Sequence, residues 1–282
     1  MPRFFRVFAL VLVGVLAMFA LAACSSDDPT PTQSTASAAA TPTADSSPEY
    51  GGTLAYWVRS DPPGWDPWGR TRFWDPTRKT LELVFNPLYS PGAQLGDSCE
   101  NVLQPEIAES WEFISPTVLE FKIREGIKWH NLPPLNGRAL TADDVVFTFN
   151  ERYAKGLAGQ AYVGKVFFDH AEAIDAQTVH VHLKQAFAGF VSGFTSGNRQ
   201  GWIVAPEASA EADLEDPSKS WVGTGPYMFV EYQSGVKMTF ERNPDYFKDG
   251  LPYADAVVAH VIPDAATRLA ALRSGQINVF PA

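Results

Sequence analysis

Cysteine is scarce in this 282-residue chain, which holds two, Cys24 and Cys99. So few thiols exclude a small disulfide-stapled scaffold and leave stability to a packed core. Basic side chains are also in short supply, 22 Lys and Arg against 32 Asp and Glu, for a net charge of −10. That balance argues against nucleic acid as a partner, because binding phosphate calls for clustered Lys and Arg. Catalytic signatures are missing too. There is no Gly-Lys-Ser/Thr phosphate loop. Gly223-Thr224-Gly225 begins like a dinucleotide loop, but Pro226 follows and Met228 stands where the glycine pattern would continue. Gly193-Phe194-Thr195-Ser196-Gly197 places a serine between glycines without the Gly-x-Ser-x-Gly spacing of a nucleophile elbow. The expectation is a protein that is not an enzyme and needs no cofactor.

What is present begins at the N-terminus. Arg3 and Arg6 precede an unbroken apolar run from Val7 to Ala20. The run is short of the ~20 apolar residues of a spanning helix, so residues 1–23 read as a secretory leader. Leu21-Ala22-Ala23-Cys24 looks like a lipobox, with Cys24 as the lipidation site and the bilayer as its partner. The body is then expected outside the cytoplasm, tethered to the outer face of the cell membrane. A lipidated Cys24 leaves Cys99 unpaired, in a polar loop with no His or Lys beside it to lower its pKa.

Within residues 24–49, Ser25 to Pro48 are almost wholly Ser, Thr, Ala, Pro and Asp. Such a segment has too little apolar surface to offset the entropy of ordering and reads as a disordered leash. From Glu49 the composition is globular, and its length suggests two structural units. Gly51 to Val58 reads as a strand, and Asp61 to Trp68, with its three prolines, as its irregular exit. Leu81, Val84, Phe85 and Leu88 have helical spacing. Leu119, Phe121 and Ile123 alternate with charged residues, as do Val179, Val181 and Leu183 with polar ones, giving strands with one buried face. Thr141 is positioned as a helix N-cap, with Asp143 and Asp144 in the first turn. Val236, Met238 and Phe240 alternate with polar residues and mark another strand, and Val257 to Ile262, apolar on both faces, predicts a fully covered central one. Pro263-Asp264 predicts a helix start, with Leu269 and Leu272 on its apolar face and Gly275 as its stop. Ile277 to Phe280 predicts a further strand.

Several blocks, taken in order, resemble family 5 ABC-importer solute-binding proteins, the oligopeptide, dipeptide and nickel type. They are Arg124 to His130, Thr141 to Phe149, Gly223 to Tyr227, Glu241 to Phe247 and Ile262 to Asn278. The resemblance implies an α/β, periplasmic-binding-protein-like clamshell of type II. Residues 50–90 and 206–282 would build lobe I, and residues 91–205 an inserted extra domain. On the family pattern the sequence ends where the chain should cross the hinge, so lobe II is expected to be absent. The implied role is capture of peptides or another small solute by a monomer that delivers it to a membrane permease. A degenerate truncated fragment and a ligand-sensing lipoprotein are the alternatives.

Ligand-binding candidates are aromatic. Trp57, Trp65 and Trp68 cluster at the first strand and its exit, and Trp202 follows Gly201. Flat rings contact extended ligands with little loss of rotamer entropy, but the same rings serve equally as core, and both roles stand open. His180 and His182, two apart on one strand face, would chelate a metal if a third ligand approached. The expected reading is a solvated face with no metal. Gly223 and Gly225 are expected to supply backbone angles that a Cβ would strain.

Overall fold

The computed structural model describes residues 48–62, 64, 65, 67, 75–91, 103–151, 164, 166–191, 201–210 and 217–279. Cys24, Trp68 and Cys99 lie outside the described residues. All described residues belong to one compact unit, 47–282.

In chain order the elements are β1 (Thr53–Val58), α1 (Asp75–Val84), β2 (Tyr89–Pro91), β3 (Leu103–Pro105), β4 (Ala108–Ser115) and β5 (Val118–Ile123). They continue with α2 (Ala142–Phe149), β6 (Phe168–Ala173), β7 (Thr178–Leu183), α3 (Pro206–Ala210) and α4 (Pro217–Ser220). Last come β8 (Tyr227–Gln233), β9 (Lys237–Arg242), β10 (Ala256–Val261) and α5 (Ala265–Arg273).

The described strands form two four-stranded sheets and a small pair. The first sheet has the order β1-β10-β9-β8, with β1 parallel to β10 and the other pairings antiparallel. It thus joins an early strand to the last three. The second sheet, β4-β5-β7-β6, is antiparallel throughout, and β2 pairs with β3.

Alternation decides which faces are buried. Leu119, Phe121 and Ile123 of β5 and Val179, Val181 and Leu183 of β7 point into one core, where α2 adds Val145 and Phe149. Thr141 caps α2 as expected, and the Asp144 carboxylate accepts the Thr141 N–H at 3.0 Å. A second core gathers Tyr56, Val58, Val257, Met238 and Phe240 from the first sheet against Leu81 and Val84 of α1 and the rings of Trp65, Trp202 and Trp221. Each large apolar side chain so buried contributes about 1.5–3 kcal/mol, the main term holding these layers together.

Several expectations are corrected. The helix that the Leu81–Leu88 spacing predicts ends at Val84. Pro87 drives the residue before it out of helical conformation, so Phe85 and Leu88 keep their burial without the helix. On β10, Val257 and Ala259 are buried, but Val258 and His260 on the opposite face are half covered. In α5 the inward residues are Arg268 and Ala271, while Leu269 is 43% exposed. Ile277 to Val279 is not a strand. The Asn278 side chain accepts the Ala55 N–H at 2.8 Å and donates to the Thr53 carbonyl at 2.8 Å, and the Asn278 and Val279 N–H groups donate to the Ala55 carbonyl at 2.9 and 3.1 Å, together satisfying the open edge of β1. The helix boundaries Asp264 and Gly275 agree with the sequence. Asp264 Oδ1 accepts the Thr267 N–H at 2.7 Å, and Gly275 has φ +77°.

Candidate functional site

Three of the five blocks, those holding His130, Gly223 to Tyr227 and Asn243, converge on one buried polar junction. The Gly225 carbonyl accepts from Asn243 Nδ2 and from His130 Nε2, both at 3.0 Å. His130 Nδ1 accepts the Gly223 N–H at 3.3 Å, and the His130 N–H donates to the Gly223 carbonyl at 2.8 Å. A carbonyl can only accept and an N–H can only donate, so His130 is the neutral Nε2–H tautomer. Burial pushes its pKa down to about 4. Thr224 Oγ1 donates to Asn86 Oδ1 at 3.2 Å, and the Asn243 N–H donates to the Pro226 carbonyl at 2.9 Å. Asn86 Nδ2 in turn reaches Glu106 Oε2, which Lys248 neutralises at 2.6 Å.

The two glycines of this junction act by closeness. Neither has a positive φ. A Cβ on Gly223 would lie 2.0 Å from the Val84 carbonyl oxygen, and one on Gly225 2.4 Å from that of Leu83. The Gly225 N–H donates to the Val84 carbonyl at 2.8 Å, so the turn seals the end of α1 by backbone contact. The junction is scaffold, and it sets the first sheet in place.

That sheet sends the carboxyl ends of its parallel pair, β1 and β10, to one edge. In open α/β sheets ligands lie beyond the carboxyl ends of parallel strands, where loops diverge. Here the exit of β1 is fixed by Asp61, whose carboxylate accepts the Gly235 N–H at 3.0 and 3.1 Å from the β8–β9 turn. The exit of β10 is fixed by Arg268, 7% exposed, which donates Nε–H to the Ile262 carbonyl at 2.7 Å and also bonds the Pro263 carbonyl. The Arg268 guanidinium sits 3.9 Å from the centroid of the Trp57 ring. Trp57 is half-buried, with Leu272 beside the small cluster of Ile262, Ala271 and Ile277.

The other candidate tryptophans are placed differently. Trp202 is fully buried at 0% exposure, and Trp65, 5% exposed, meets Trp221 edge-on at 5.1 Å and accepts its Nε1–H on the backbone carbonyl at 2.8 Å. These two are core, as the alternative reading of each allowed. His180 Nε2 lies 2.8 Å from Glu120 Oε2, and His182 Nε2 lies 2.9 Å from Glu172 Oε1. These carboxylates, and His170 stacked on His182, come from neighbouring strands. A sequence pattern that does not specify strand register could not show them.

Elsewhere among the described residues, a cavity of about 360 Å³ lies between Leu132, Pro133, Trp221 and Phe229, and another of about 340 Å³ between Leu54, Tyr227, Tyr246 and Tyr253. Their linings are mainly apolar and hold no set of converging charged groups of the kind that binds a defined polar solute.

Two sheets of this order, sealed by one polar junction, define an α/β protein of the periplasmic-binding-protein-like class. The chain belongs to the family described as bacterial extracellular solute-binding proteins, family 5, whose middle-region model matches residues 102–282, more than half of the chain. Among curated relatives, the oligopeptide-binding protein AppA of Bacillus subtilis is 33% identical over 168 residues, 57% of this chain and 29% of AppA. Di/tripeptide-binding protein 2 of Pseudomonas aeruginosa is 27% identical over 242 residues, 80% of this chain and 44% of the relative. Heme-binding protein A of Haemophilus influenzae is 29% identical over 196 residues, 63% of this chain and 35% of the relative. The structure of AppA in complex with a nonapeptide superposes with a TM-score of 0.69 at 26% identity, over 83% of this chain and 44% of that one. The chain thus spans less than half the length of the relatives it matches. No helix among the described residues is long and apolar enough to cross a membrane.

Proposed function

We propose that this protein captures a small solute outside the cytoplasm, peptides in the first place, and hands it as a monomer to the membrane permease of an ABC importer. Residues 50–90 and 206–282 would form lobe I and residues 91–205 the inserted domain. This division is supported by the first sheet, which draws β1 from the early segment and β8, β9 and β10 from the late one. The observation that carries the reading is the shared edge at the carboxyl ends of β1 and β10, where Trp57 is anchored within a family of solute binders. A half-buried indole held from behind by Arg268 offers a flat apolar face with little entropy left to lose on binding. Trp68, which follows β1 in the sequence, is the second proposed contact. Trp65 and Trp202 support the wall from within the core.

Peptide is preferred over other solutes because the names of two relatives specify oligopeptides and di- or tripeptides. Cys24 would carry lipid after removal of residues 1–23, with residues 24–49 as the leash that gives the body reach above the bilayer.

Isothermal titration of the purified chain against di- to pentapeptides tests the reading. Saturable heat is expected, weakened about tenfold (~1.4 kcal/mol) by Trp57→Leu. An affinity unchanged by Trp57→Leu and Trp68→Leu would move the site off this edge.

A further inference from the structure

The outer face of the second sheet carries a cluster that solute capture does not use. Strands β6 and β7 pair with His170 opposite His182 and Glu172 opposite His180. His170 and Glu172 lie two apart on one strand and so share a face, and His182 faces them both across the pair. The rings of His170 and His182 stack at 4.3 Å with 2° between their planes, and His182 Nε2 lies 2.9 Å from Glu172 Oε1. One ligand atom from each of His170, Glu172 and His182 can be chosen so that all three lie within 4.8 Å of one another.

We propose that His170, Glu172 and His182 form a binding site for a divalent transition-metal ion of the Zn²⁺ class. The donor set is two imidazoles and one carboxylate, which suits Zn²⁺, Ni²⁺ or Cu²⁺ and not Mg²⁺, which prefers oxygen ligands alone. Tetrahedral zinc with bonds near 2.0–2.1 Å holds its ligands roughly 3.3 Å apart, so the three groups need only small side-chain rotations to close. His170 is already oriented. Its Nδ1 donates to Asp169 Oδ2 at 3.0 Å, which leaves Nε2 as the lone-pair nitrogen and supplies the outer carboxylate common to metal-bound histidines. If the ion takes His182 Nε2, the proton now shared with Glu172 moves to Nδ1 or to solvent. A water completes the coordination, since two of the three residues are exposed. Because β6 is the edge strand of its sheet, the ion would clip that edge to β7.

His180 is the internal control. It lies on the same face, but its Nε2 is 2.8 Å from Glu120, and its ring is 6.3 Å from that of His182. Chelator-treated, dialysed full chain is titrated with Zn²⁺ against a chromophoric chelator, with Mg²⁺ in a parallel run. One Zn²⁺ per chain is expected, weakened about tenfold or more by each of His170→Ala, Glu172→Gln and His182→Ala. His180→Ala should bind as the parent does, and Mg²⁺ should not compete. Zn²⁺ should also raise the unfolding midpoint of the parent and not that of His182→Ala, whose metal-free circular dichroism checks that it folds. No stoichiometric binding overturns the proposal, as does binding that survives the three variants or falls equally with His180→Ala. Peptide titrations on the same variants should be unchanged, so the outcome is independent of the solute reading.

Discussion

Arg268 and Trp57, 211 positions apart in the chain, meet with the guanidinium carbon 3.9 Å from the centre of the indole ring. The same guanidinium donates to the carbonyls that end β10, so one side chain fixes both the aromatic face of β1 and the exit of its parallel neighbour. A desolvated cation–π contact contributes about 2 kcal/mol, and hydrogen bonds to a charged donor about 1.5–3 kcal/mol each. Water re-solvates part of what the truncation exposes, so Arg268→Ala is expected to lower stability by less than the sum of these contacts, roughly 2–4 kcal/mol in urea unfolding. Arg268→Lys should recover less than half of this, because an ammonium lacks the planar fork. A lysine variant as stable as the parent would show that charge alone matters here.

The turn at Gly223 to Gly225 gives a sharper test. An added methyl at Gly225 meets backbone atoms of Leu83 and Val84 that cannot rotate away. Gly225→Ala should cost about 3 kcal/mol or more, seen as a large fall in the urea midpoint or as failure to accumulate. Gly126→Ala, where φ is +76° but no atom lies within 4 Å of the new methyl, should cost only about 1–2 kcal/mol. Equal losses at the two sites would mean that conformation, not contact, governs both.

His130 makes stability depend on pH. Its pKa is pushed by burial from 6.5 down to about 4, so the folded state refuses a proton that the unfolded chain accepts. The stabilising contribution is complete above pH 6.5, shrinks as pH falls below that, and is fully lost once pH drops through 4, a span of roughly 3 kcal/mol. Thermal midpoints recorded from pH 7.5 to 4 should fall more steeply for the parent than for His130→Gln. Parallel curves would place the titrating group elsewhere.

The proposed anchor predicts a change of compartment. Cys24→Ala should move the protein from the membrane fraction to the soluble fraction or leave the leader uncleaved, without altering the fold of the body. Unchanged fractionation of this variant would mean that something other than a lipid on Cys24 holds the protein to the membrane.

Local signals in the sequence were enough for the elements whose pattern is local. The alternation of Leu119, Phe121 and Ile123, the cap at Thr141 and the stop at Gly275 each depend on neighbours within a few positions, and each stands in the structure. Non-local contacts were not legible. The Asn278 amide replaces the strand predicted at Ile277 because the open edge of β1 lies more than 200 residues upstream. Arg268 turns inward where Leu269 was expected, since its partners are Trp57 and the end of β10. Trp65 and Trp202 could not be separated from Trp57 by composition, because burial is a property of the assembled layers. The Gly-Thr-Gly-Pro-Tyr turn was visible as a motif, but its reason, the approach of the end of α1, was not.

Native mass spectrometry of the protein purified from its own cells tests the solute-binding reading most directly. The expected result is a fraction of molecules heavier by the mass of one small solute, released on denaturation and identified as peptide by fragmentation. A single ligand-free mass from gently purified protein, unchanged after incubation with di- to pentapeptides, would contradict it.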